Sequence, residues 1–539
     1  MGEWTVDGCD GIKVAHIEQM MGIFLARVYD KAKDLQSLLD SDPLQFERVE
    51  QMAKELFDHG AGLFLTGLIA KTMKSPEHEQ RSDNVRDGYC VPLRTGQDRQ
   101  IQVHLGSGFA CHAKTRYCQP KSNITTDPIP GLDSELSLFG FSGGVSPWLI
   151  SKVTRTVALS GSLSQAHAEL LRDGIKLPAS VIDRIVTKAG MEQLTQRQRM
   201  LQEFESGQME PGNEFAGQTV SIQVDGGRTR TRSELNRIDP LLNFGKTQSE
   251  VSGQPSQGRS KEGRRQASYT AAWREPKLFT IYVHDKQGRK NKLFSELVDG
   301  SFANAAYAER LIAMHMFRLG LQKAKSITFN SDGATWIWER IDSILKRAHI
   351  PESVLVFRVL DVYHAAENIG KGVKALGRQT GDAIEFRPLR TMLRDGSWSE
   401  IASTLETSID AKDGRCANNE GLDRKEVLRV VRYLRNHGAA GHLDYPKFSL
   451  MGLPLGSGSI ESAIRRVINL RMKGNGTFWR LPKAECILVL RSSIISGRWD
   501  EDRKRVKLAM QKNRKLAMPP IQESEFENSD AKLEPLEIQ

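Results

Sequence analysis

The stretch LPLGSGSIESAIRRVINLRMKGNGTFW, residues 453–479, joins a glycine-rich loop to an amphipathic helix. Its apolar residues recur at helical spacing, so one stripe of the helix should face a core: Ile460, Ile464, Val467 and Ile468. Glu461 falls in the first turn, at the edge of that stripe, where a side chain can reach a cleft and stay partly solvated. Either Glu461 binds a metal ion in an active site, or Ser459 caps the helix and Glu461 only complements the positive end of the helix dipole.

The composition is that of a globular protein of several domains. With 539 residues the chain exceeds one ordinary core, so two to four domains are expected. A net charge of +10 and a pI near 9.2 permit a polyanionic partner without requiring one. No apolar run is long enough to span a bilayer and the N-terminus lacks a signal pattern, so we expect a cytoplasmic protein without a membrane partner.

Residues 1–85 have the apolar spacing of helices, and two roles are open for them: dimerisation or DNA contact. Residues 86–130 alternate apolar and polar positions around glycines, which predicts a small β-rich module. Three cysteines fall in this part of the chain: Cys90, Cys111 and Cys118. They lack the paired spacing of a zinc site, which favours buried or redox-silent thiols there over zinc, the alternative.

Residues 131–191 return to a helical pattern. Residues 162–186 predict two helices joined by a short turn at Asp173–Leu177, with Pro178 at the start of the second helix. That layout is typical of a helix-turn-helix DNA-binding region, whose second helix enters the major groove, and equally of an ordinary helical hairpin. Residues 192–216 are either a linker or a long helix.

From residue 217 onward, apolar stretches end on acidic residues. Residues 218–225 predict a strand ending at Asp225, and 326–333 another strand ending on Asp332. Residues 354–361 predict a buried strand ending at Asp361. A hairpin (277–284 and 291–298) and a helix (302–323) lie between the first two acids. This order predicts an α/β fold with a mixed sheet that brings carboxylates into one crevice.

The remaining segments complete the predicted organisation. Residues 243–275 are basic and rich in Gly, Ser and Gln, which is typical of a mobile loop that orders on phosphates, or of plain disorder. Residues 369–452 predict an all-helical insertion. The catalytic domain would then comprise 217–368 and 453–515, and 516–539 would be a disordered acidic tail.

Asp225, Asp332 and Glu461 are the candidate catalytic and metal-binding residues. They are separated by 107 (332 − 225) and 129 (461 − 332) positions, and the helical insertion accounts for the longer gap. Mg²⁺ and Mn²⁺ prefer oxygen ligands, and three carboxylates can hold two such ions about 3.5–4 Å apart for an in-line displacement at phosphorus. Basic and aromatic residues near these acids are predicted to contact DNA: Arg228, Arg465, Arg466, Arg471, Lys473 and Trp479.

These motifs resemble those of bacterial insertion-sequence transposases of the DDE class, with an RNase H-like core, and are most similar to the ISKra-type family, which is related to the Mutator-like group. The similarity covers about residues 130–500 and rests on QVDGG (223–227), NSDGATWI (330–337), LDVYHAAEN (360–368), GSGSIES (456–462) with RMK and Trp479, and LRS with GRWD (490–500). It implies that Asp225, Asp332 and Glu461 bind metal, and that Asp361 and His364 support the site or contact DNA. Asp361 is the rival for the second metal position. The paired cysteines usual before such a catalytic domain are reduced here to Cys118.

Three functional hypotheses follow. The first, which the resemblance favours, is a transposase that binds the inverted repeats of its own element through 131–191, cuts 3′ ends and joins them to target DNA. It implies two Mg²⁺ or Mn²⁺ ions, double-stranded DNA as partner, a homo-oligomer of two or more chains, and a location at the bacterial nucleoid. The second is a catalytically silent DNA-binding repressor of transposition. The third is an RNase H-like nuclease or resolvase acting on structured nucleic acid.

Overall fold

The computed structural model of the protein describes residues 4–5, 17–88, 92–94, 96–121, 131–234, 269–376, 386–413, 423–474 and 476–512. These residues form two compact units. The first contains the described residues up to 196 together with 501–512, and the second contains the described residues from 197 to 500. None of the helices in these ranges is both long enough and apolar enough to cross a bilayer.

The first unit combines helices with a small sheet. Its elements in chain order are β1 (Trp4–Thr5), α1 (Ile17–Ser41), α2 (Phe46–Met73), α3 (Pro76–Asp87), β2 (Gln97–His104), β3 (Ala110–Cys118), β4 (Leu132–Asp133), α4 (Ser134–Leu138), α5 (Pro147–Leu159), α6 (Leu163–Arg172) and α7 (Ala179–Glu205). The sheet order is β1-β3-β2, and β4 also pairs with β3. Buried residues of α1, α2 and the sheet form one core, including Met20, Leu63 and Val103.

Two sequence predictions for this unit concern local structure. Helices α6 and α7 are the predicted pair joined by a turn, and α7 continues to Glu205, so residues 192–205 are helical rather than a linker. Cys111 is fully buried in the core and its sulfur accepts a hydrogen bond from Thr66 Oγ1 at 3.6 Å. Cys118 is also buried, seven residues further along β3. Cys90 lies outside the described residues.

The second unit contains the mixed sheet. Its elements are β5 (Thr219–Gly226), β6 (Thr229–Glu234), β7 (Tyr269–Arg274), β8 (Lys277–Val283), β9 (Leu297–Ser301), α8 (Ala305–Leu319), β10 (Ser326–Ser331), α9 (Thr335–Trp338), α10 (Ile341–Arg347), β11 (Leu355–Leu360), α11 (Val362–Ala375), α12 (Phe386–Arg394), α13 (Trp398–Asp413), α14 (Arg424–Ala439), α15 (Tyr445–Leu450), α16 (Gly458–Ile464), α17 (Leu470–Met472), α18 (Leu481–Ile495) and the start of α19 (Trp499–Lys512). The segment Arg465–Asn469 between α16 and α17 is a π-helix.

The five-stranded sheet has the order β11-β10-β5-β8-β9. Strands β5, β10 and β11 are parallel, whereas β8 is antiparallel to both β5 and β9. Because β8 and β10 are buried along their whole length, the sheet lies inside a core that also contains α8 and α10. The predicted α/β class with a mixed sheet is therefore confirmed.

Two predicted strands differ from the structure. The second strand of the hairpin begins at Leu297, not at 291, because Asn291 Oδ1 accepts the N–H of Leu293 at 3.0 Å and makes a turn. Strand β11 is buried only near its end, since it lies at the edge of the sheet and Leu355 is exposed. Most of the basic segment 243–275 and all of the acidic tail 516–539 lie outside the described residues.

Helices α11–α15 have a core of their own, and all but the first residues of α11 lie within 369–452, the segment for which an all-helical insertion was predicted. That core joins the last residues of β11, such as Val359 and Leu360, to buried residues of the helices, such as Leu405 and Val430. The insertion is thus anchored to the strand that ends just before Asp361. This anchoring brings Tyr433 of helix α14 against Gly333, at the carboxyl edge of the sheet.

A buried cluster of charged side chains lies at β9, the edge strand at the other end of the sheet from β11. Arg197 donates to Asp299 at 3.0 Å and to Glu485 at 2.6 Å, and the side chains of all three are at least nine-tenths buried. His315 Nε2 lies 3.0 Å from the second oxygen of Asp299. Because each carboxylate has a charged or backbone partner, the cluster joins α7, β9, α8 and α18 without an unpaired buried charge.

Candidate active site

Asp225 and Asp332 leave the sheet at the same edge. Asp225 is near the end of β5, and Asp332 directly follows β10. The two strands are parallel neighbours in which Val224 lies opposite Ser331, so the next residue of each is one of the two acids. The hydroxyl of Ser331 donates to the carbonyl of Val224 and ties the two strand ends together. The predicted juxtaposition of these two carboxylates is therefore present.

The environment of the two acids favours a bound cation. Burial and then the negative charge of Asp332 raise the pKa of Asp225 to about 7, although the N–H of Gly226 and the nearby His364 oppose the rise. Burial likewise raises the pKa of Asp332, again opposed by His364. Repulsion between two partly buried carboxylates is relieved when a cation lies between them.

Glu461 is in the first turn of α16 and is exposed. Its Oε1 accepts a hydrogen bond from Ser457 Oγ at 3.3 Å, and its backbone N–H donates to the Ser457 carbonyl. Ser459 Oγ donates to Glu296, so it does not cap the helix. The prediction that Ser459 caps the helix is therefore wrong, whereas the place of Glu461 in the first turn fits both roles that the sequence left open for it, a metal ligand and a complement to the helix dipole.

Asp361 connects this turn to the sheet. It is fully buried, its Oδ1 accepts the N–H groups of Tyr363 and His364 at 2.6 and 2.8 Å, and its Oδ2 accepts the N–H of Ser457. Asp361, the rival of Asp332 for the second metal position, therefore has both of its carboxylate oxygens hydrogen-bonded to backbone N–H groups. Gly456 allows this approach, because a Cβ there would lie 2.8 Å from the ring of Tyr363.

Two amide residues that the sequence reasoning did not single out hold the same loop. Gln223 and Asn330 are fully buried and stand two residues before Asp225 and Asp332, on the same face of each strand. Asn330 Nδ2 donates to the Pro454 carbonyl at 2.8 Å, and Gln223 Nε2 donates to that of Gly456 at 3.0 Å. An amide two positions before an acid, in a strand that alternates apolar and polar residues, was the available sequence signal.

Oxygen donors suited to a hard divalent cation are therefore present as a close pair with a third carboxylate on the adjoining helix. Among the described residues, no group of three or more Asp, Glu, His or Cys side chains is placed so that it could hold a metal ion. Asp225 and Asp332 form a close pair, and His364 is near enough to interact electrostatically with each of them. Glu461 is connected to this pair only indirectly, through Ser457 and Asp361. Glu275, which the sequence reasoning missed, adds a further carboxylate beside Gly226.

Two aromatic residues, Trp338 and Tyr433, contact the backbone at Asp332 and Gly333. Trp338 Nε1 donates to the Asp332 carbonyl at 2.7 Å, and its ring stacks on His442 with centroids 4.4 Å apart. Gly333 lies against the ring of Tyr433 from α14, so closely that a Cβ there would be 2.2 Å from a ring carbon. The helical insertion thus contributes to the position of the second carboxylate.

The predicted DNA-contacting residues fall into two groups. Arg228, Arg465 and Lys473 are exposed, whereas Arg466 is partly exposed and its guanidinium lies 3.4 Å from Glu296. Arg471 and Trp479 are buried, and the guanidinium lies 5.0 Å from the ring centroid. Their burial argues for a structural role and against direct contact with DNA.

A basic and aromatic surface, of which the sequence analysis named only Arg228, follows Asp225 closely in the chain. The guanidinium groups of Arg228 and Arg230 lie 5.5 and 5.6 Å from the ring centroid of Trp273, across the β6–β7 ribbon. Arg230 also lies 4.9 Å from the ring of Phe478 and donates to the Gly474 carbonyl. We call Arg228, Arg230, Trp273 and Phe478 the ribbon surface.

Searches for similar proteins gave no assignment. The chain matched no protein-family model, and the comparison with curated proteins found no match either.

Proposed function

We propose that the protein is a DNA transposase of the DDE class, which cuts and joins DNA strands by metal-dependent chemistry. The observation that carries the proposal is the pair Asp225 and Asp332 at the ends of adjacent parallel strands, with the turn bearing Glu461 bonded to both strands. Two carboxylates from neighbouring strands and one from a helix suit a two-ion phosphoryl-transfer site. The acids would be Asp225, Asp332 and Glu461, and the ions Mg²⁺ or Mn²⁺.

An RNase H-like core is part of the proposal. Supporting it, the chain makes three successive antiparallel strands and then two parallel strands on the other side of the first, in the order β11-β10-β5-β8-β9. A helix connects β9 to β10, and helical segments connect β10 to β11. The helical insertion then separates the last strand from the helix of Glu461.

The roles of the residues follow from their positions. Asp225 and Asp332 supply carboxylate oxygens at the carboxyl edge of the sheet, and the nearby His364 acts to lower the pKa of each. Glu461 supplies a third carboxylate from the helix surface. These three carboxylates would hold a divalent cation, which would supply Lewis acidity for the attacking water or 3′ hydroxyl and for the leaving oxygen. Asp361 keeps the Ser457 turn in place, since it accepts three backbone N–H groups.

Contacts with DNA are supported by the ribbon surface. Guanidinium groups neutralise phosphates, and aromatic rings beside them offer faces on which unpaired bases stack. Because β6 begins only a few residues after Asp225, the ribbon surface lies next to the proposed reaction centre along the chain. Helices α6 and α7 are proposed to bind the inverted repeats at the ends of the element.

A strand-transfer assay on a short duplex carrying an end of the element tests the proposal. We expect Mn²⁺-dependent 3′-end cleavage and joining by the wild-type protein, and loss of both in Asp225→Ala, Asp332→Ala and Glu461→Gln. Asp285→Asn, an exposed carboxylate in the turn after β8, is the matched control and should remain active.

The alternatives give different results in the same assay. Metal-independent binding to element ends without cleavage would indicate a repressor of transposition. Cleavage of branched or hybrid substrates without preference for element ends would indicate a nuclease or resolvase. Strand transfer that survives in any of the three acid variants would refute the assignment of that acid.

A further inference from the structure

Gln223 joins the strand of Asp225 to the helix of Glu461 with both atoms of its amide. Its Nε2 donates to the Gly456 carbonyl at 3.0 Å, and its Oε1 accepts the N–H of Ile460 at 3.0 Å. Gln223 is two residues before Asp225, and Ile460 is the residue before Glu461. Both Gln223 and Ile460 are fully buried, so water does not replace these bonds.

The chemistry of the partners fixes the orientation of the amide. A backbone carbonyl can only accept and a backbone N–H can only donate, so Nε2 faces Gly456 and Oε1 faces Ile460. The hydroxyl of Tyr282 accepts a further bond from Nε2 at 2.9 Å. Burial raises the pKa of Tyr282 to about 12, so this hydroxyl stays neutral and remains a partner of the amide at physiological pH.

We propose that Gln223 is a positioning residue that sets the place of Glu461 relative to Asp225 for metal binding. The inference rests on the proposed function, because it concerns the third carboxylate of that site. Only a side chain with a donor and an acceptor at this length satisfies both backbone groups. A carboxylate in its place would face the Gly456 carbonyl with a negative charge, and an apolar side chain would leave two buried backbone groups without partners.

The opposite strand offers a matched control. Thr280 of β8 lies directly opposite Gln223, is also fully buried, and its hydroxyl has no hydrogen-bond partner among the described residues. Thr280→Val keeps the shape and removes no bond, whereas Gln223→Met keeps the length of the side chain and removes both bonds to the loop. Any difference between the two variants therefore reports on the amide contacts and not on the packing of this layer.

The first experiment tests the two hydrogen bonds from Gln223 to Gly456 and Ile460, in the absence of metal. Hydrogen exchange of the peptide covering 456–464 is followed by mass spectrometry in the full-length wild type, Gln223→Met and Thr280→Val. We expect the amide of Ile460 to exchange at least about tenfold faster in Gln223→Met, since its acceptor is lost, and at the wild-type rate in Thr280→Val. Unchanged exchange in Gln223→Met would overturn the proposal.

The second experiment measures metal affinity by calorimetric titration of the full-length proteins with Mn²⁺. We expect Gln223→Met to weaken binding about tenfold, as is usual for outer residues that orient a ligand. Glu461→Gln should weaken it at least as much. The double variant Gln223→Met/Glu461→Gln should bind Mn²⁺ no more weakly than Glu461→Gln alone. Once the Glu461 carboxylate has been removed, the loss of the residue that positions it has no further effect on metal binding.

The outcomes separate this inference from the proposed function. Multiplicative losses in the double variant would mean that Gln223 acts through the general stability of the fold, which overturns the positioning role. Wild-type protein that takes up no Mn²⁺ would refute the metal site of the proposed function, and the positioning role with it. Mn²⁺ uptake that is normal in wild type and in Gln223→Met alike would refute the positioning role alone.

Discussion

Asn330 and Gln223 are direct neighbours across the parallel strands β10 and β5, and their side-chain amides donate to two carbonyls of the same loop. The acceptors are Pro454 and Gly456, two residues apart. The loop therefore follows the spacing of the two strands, and the helix that begins after it carries Glu461 to the edge where both strands end in an acid. The geometry of the candidate site is thus set by buried amides one layer beneath it.

The bond from Asn330 should contribute measurably to stability. Asn330→Leu leaves the buried Pro454 carbonyl without its donor, and we expect it to lower the free energy of unfolding by about 1–2 kcal/mol. Thr328→Val is the control, because Thr328 is on the same face of the same strand, fully buried, and its hydroxyl has no partner among the described residues. Urea denaturation of both variants checks this. Equal losses would show that the amide contact adds nothing.

The raised pKa of Asp225 predicts a gain of stability when its charge is removed. The folded protein holds this proton to about pH 7, whereas an ordinary Asp releases it near 3.8. Between these values the folded state binds more protons than the unfolded chain, so the free energy of unfolding falls as the pH rises, and the full cost is present above pH 7.

Asp225→Asn stays neutral and should therefore be more stable than wild type at pH 8, by about 2 kcal/mol in the absence of metal. The gain should shrink as the pH is lowered towards 4. Asp285→Asn is the control with the opposite sign, because the N–H of Arg289 lowers the pKa of Asp285. Thermal melts in EDTA across this pH range measure the effect, and a pH-independent difference would show that the charge of Asp225 is not its cause.

The acids Asp225 and Asp332 at the strand ends could be predicted from short stretches of sequence. In each stretch the alternating apolar and polar residues, the Asp at the end and the glycine that follows lie within about ten residues of each other. The helical insertion followed equally from local periodicity. The function of Gln223 did not, since its partners are 233 and 237 positions away in the chain. The π-helix at Arg465–Asn469 was also missed, because its freed carbonyls are satisfied by Arg491 from α18, another contact distant in sequence.

Gly333 is predicted to tolerate no side chain while Tyr433 is present. A Cβ at Gly333 would be 2.2 Å from the Tyr433 ring, so Gly333→Ala must displace either the ring or the segment of Asp332. We expect cleavage activity to fall about tenfold or more, and Gly333→Ala/Tyr433→Ala to regain part of it. Gly370→Ala is the control, since a Cβ there meets Phe386 at an ordinary 3.6 Å. Failure of the double variant to recover would place the effect elsewhere than in this contact.

The ribbon surface makes a prediction about salt dependence. If Arg228 contacts a phosphate, Arg228→Ala should weaken binding to duplex DNA and reduce the slope of log affinity against log salt by about one. Arg289→Ala removes a similarly exposed charge from the turn after β8, where Asp285 already pairs with it, and should leave the slope unchanged. Fluorescence anisotropy of a labelled duplex at several salt concentrations measures both. An equal reduction in the two variants would indicate a general charge effect.

The buried charge cluster should be far more sensitive than a surface ion pair of similar geometry. Arg197→Met leaves Asp299 and Glu485 buried without their shared cation, and we expect a loss of about 3–5 kcal/mol in the free energy of unfolding. Arg310→Met breaks a pair with Glu205 whose N–O distance is 2.5 Å but whose side chains are partly exposed, so the loss should be at most about 1 kcal/mol. Guanidinium denaturation compares the two variants. A loss in Arg197→Met no larger than that in Arg310→Met would show that the two carboxylates take up protons, or find other partners, when the guanidinium is removed.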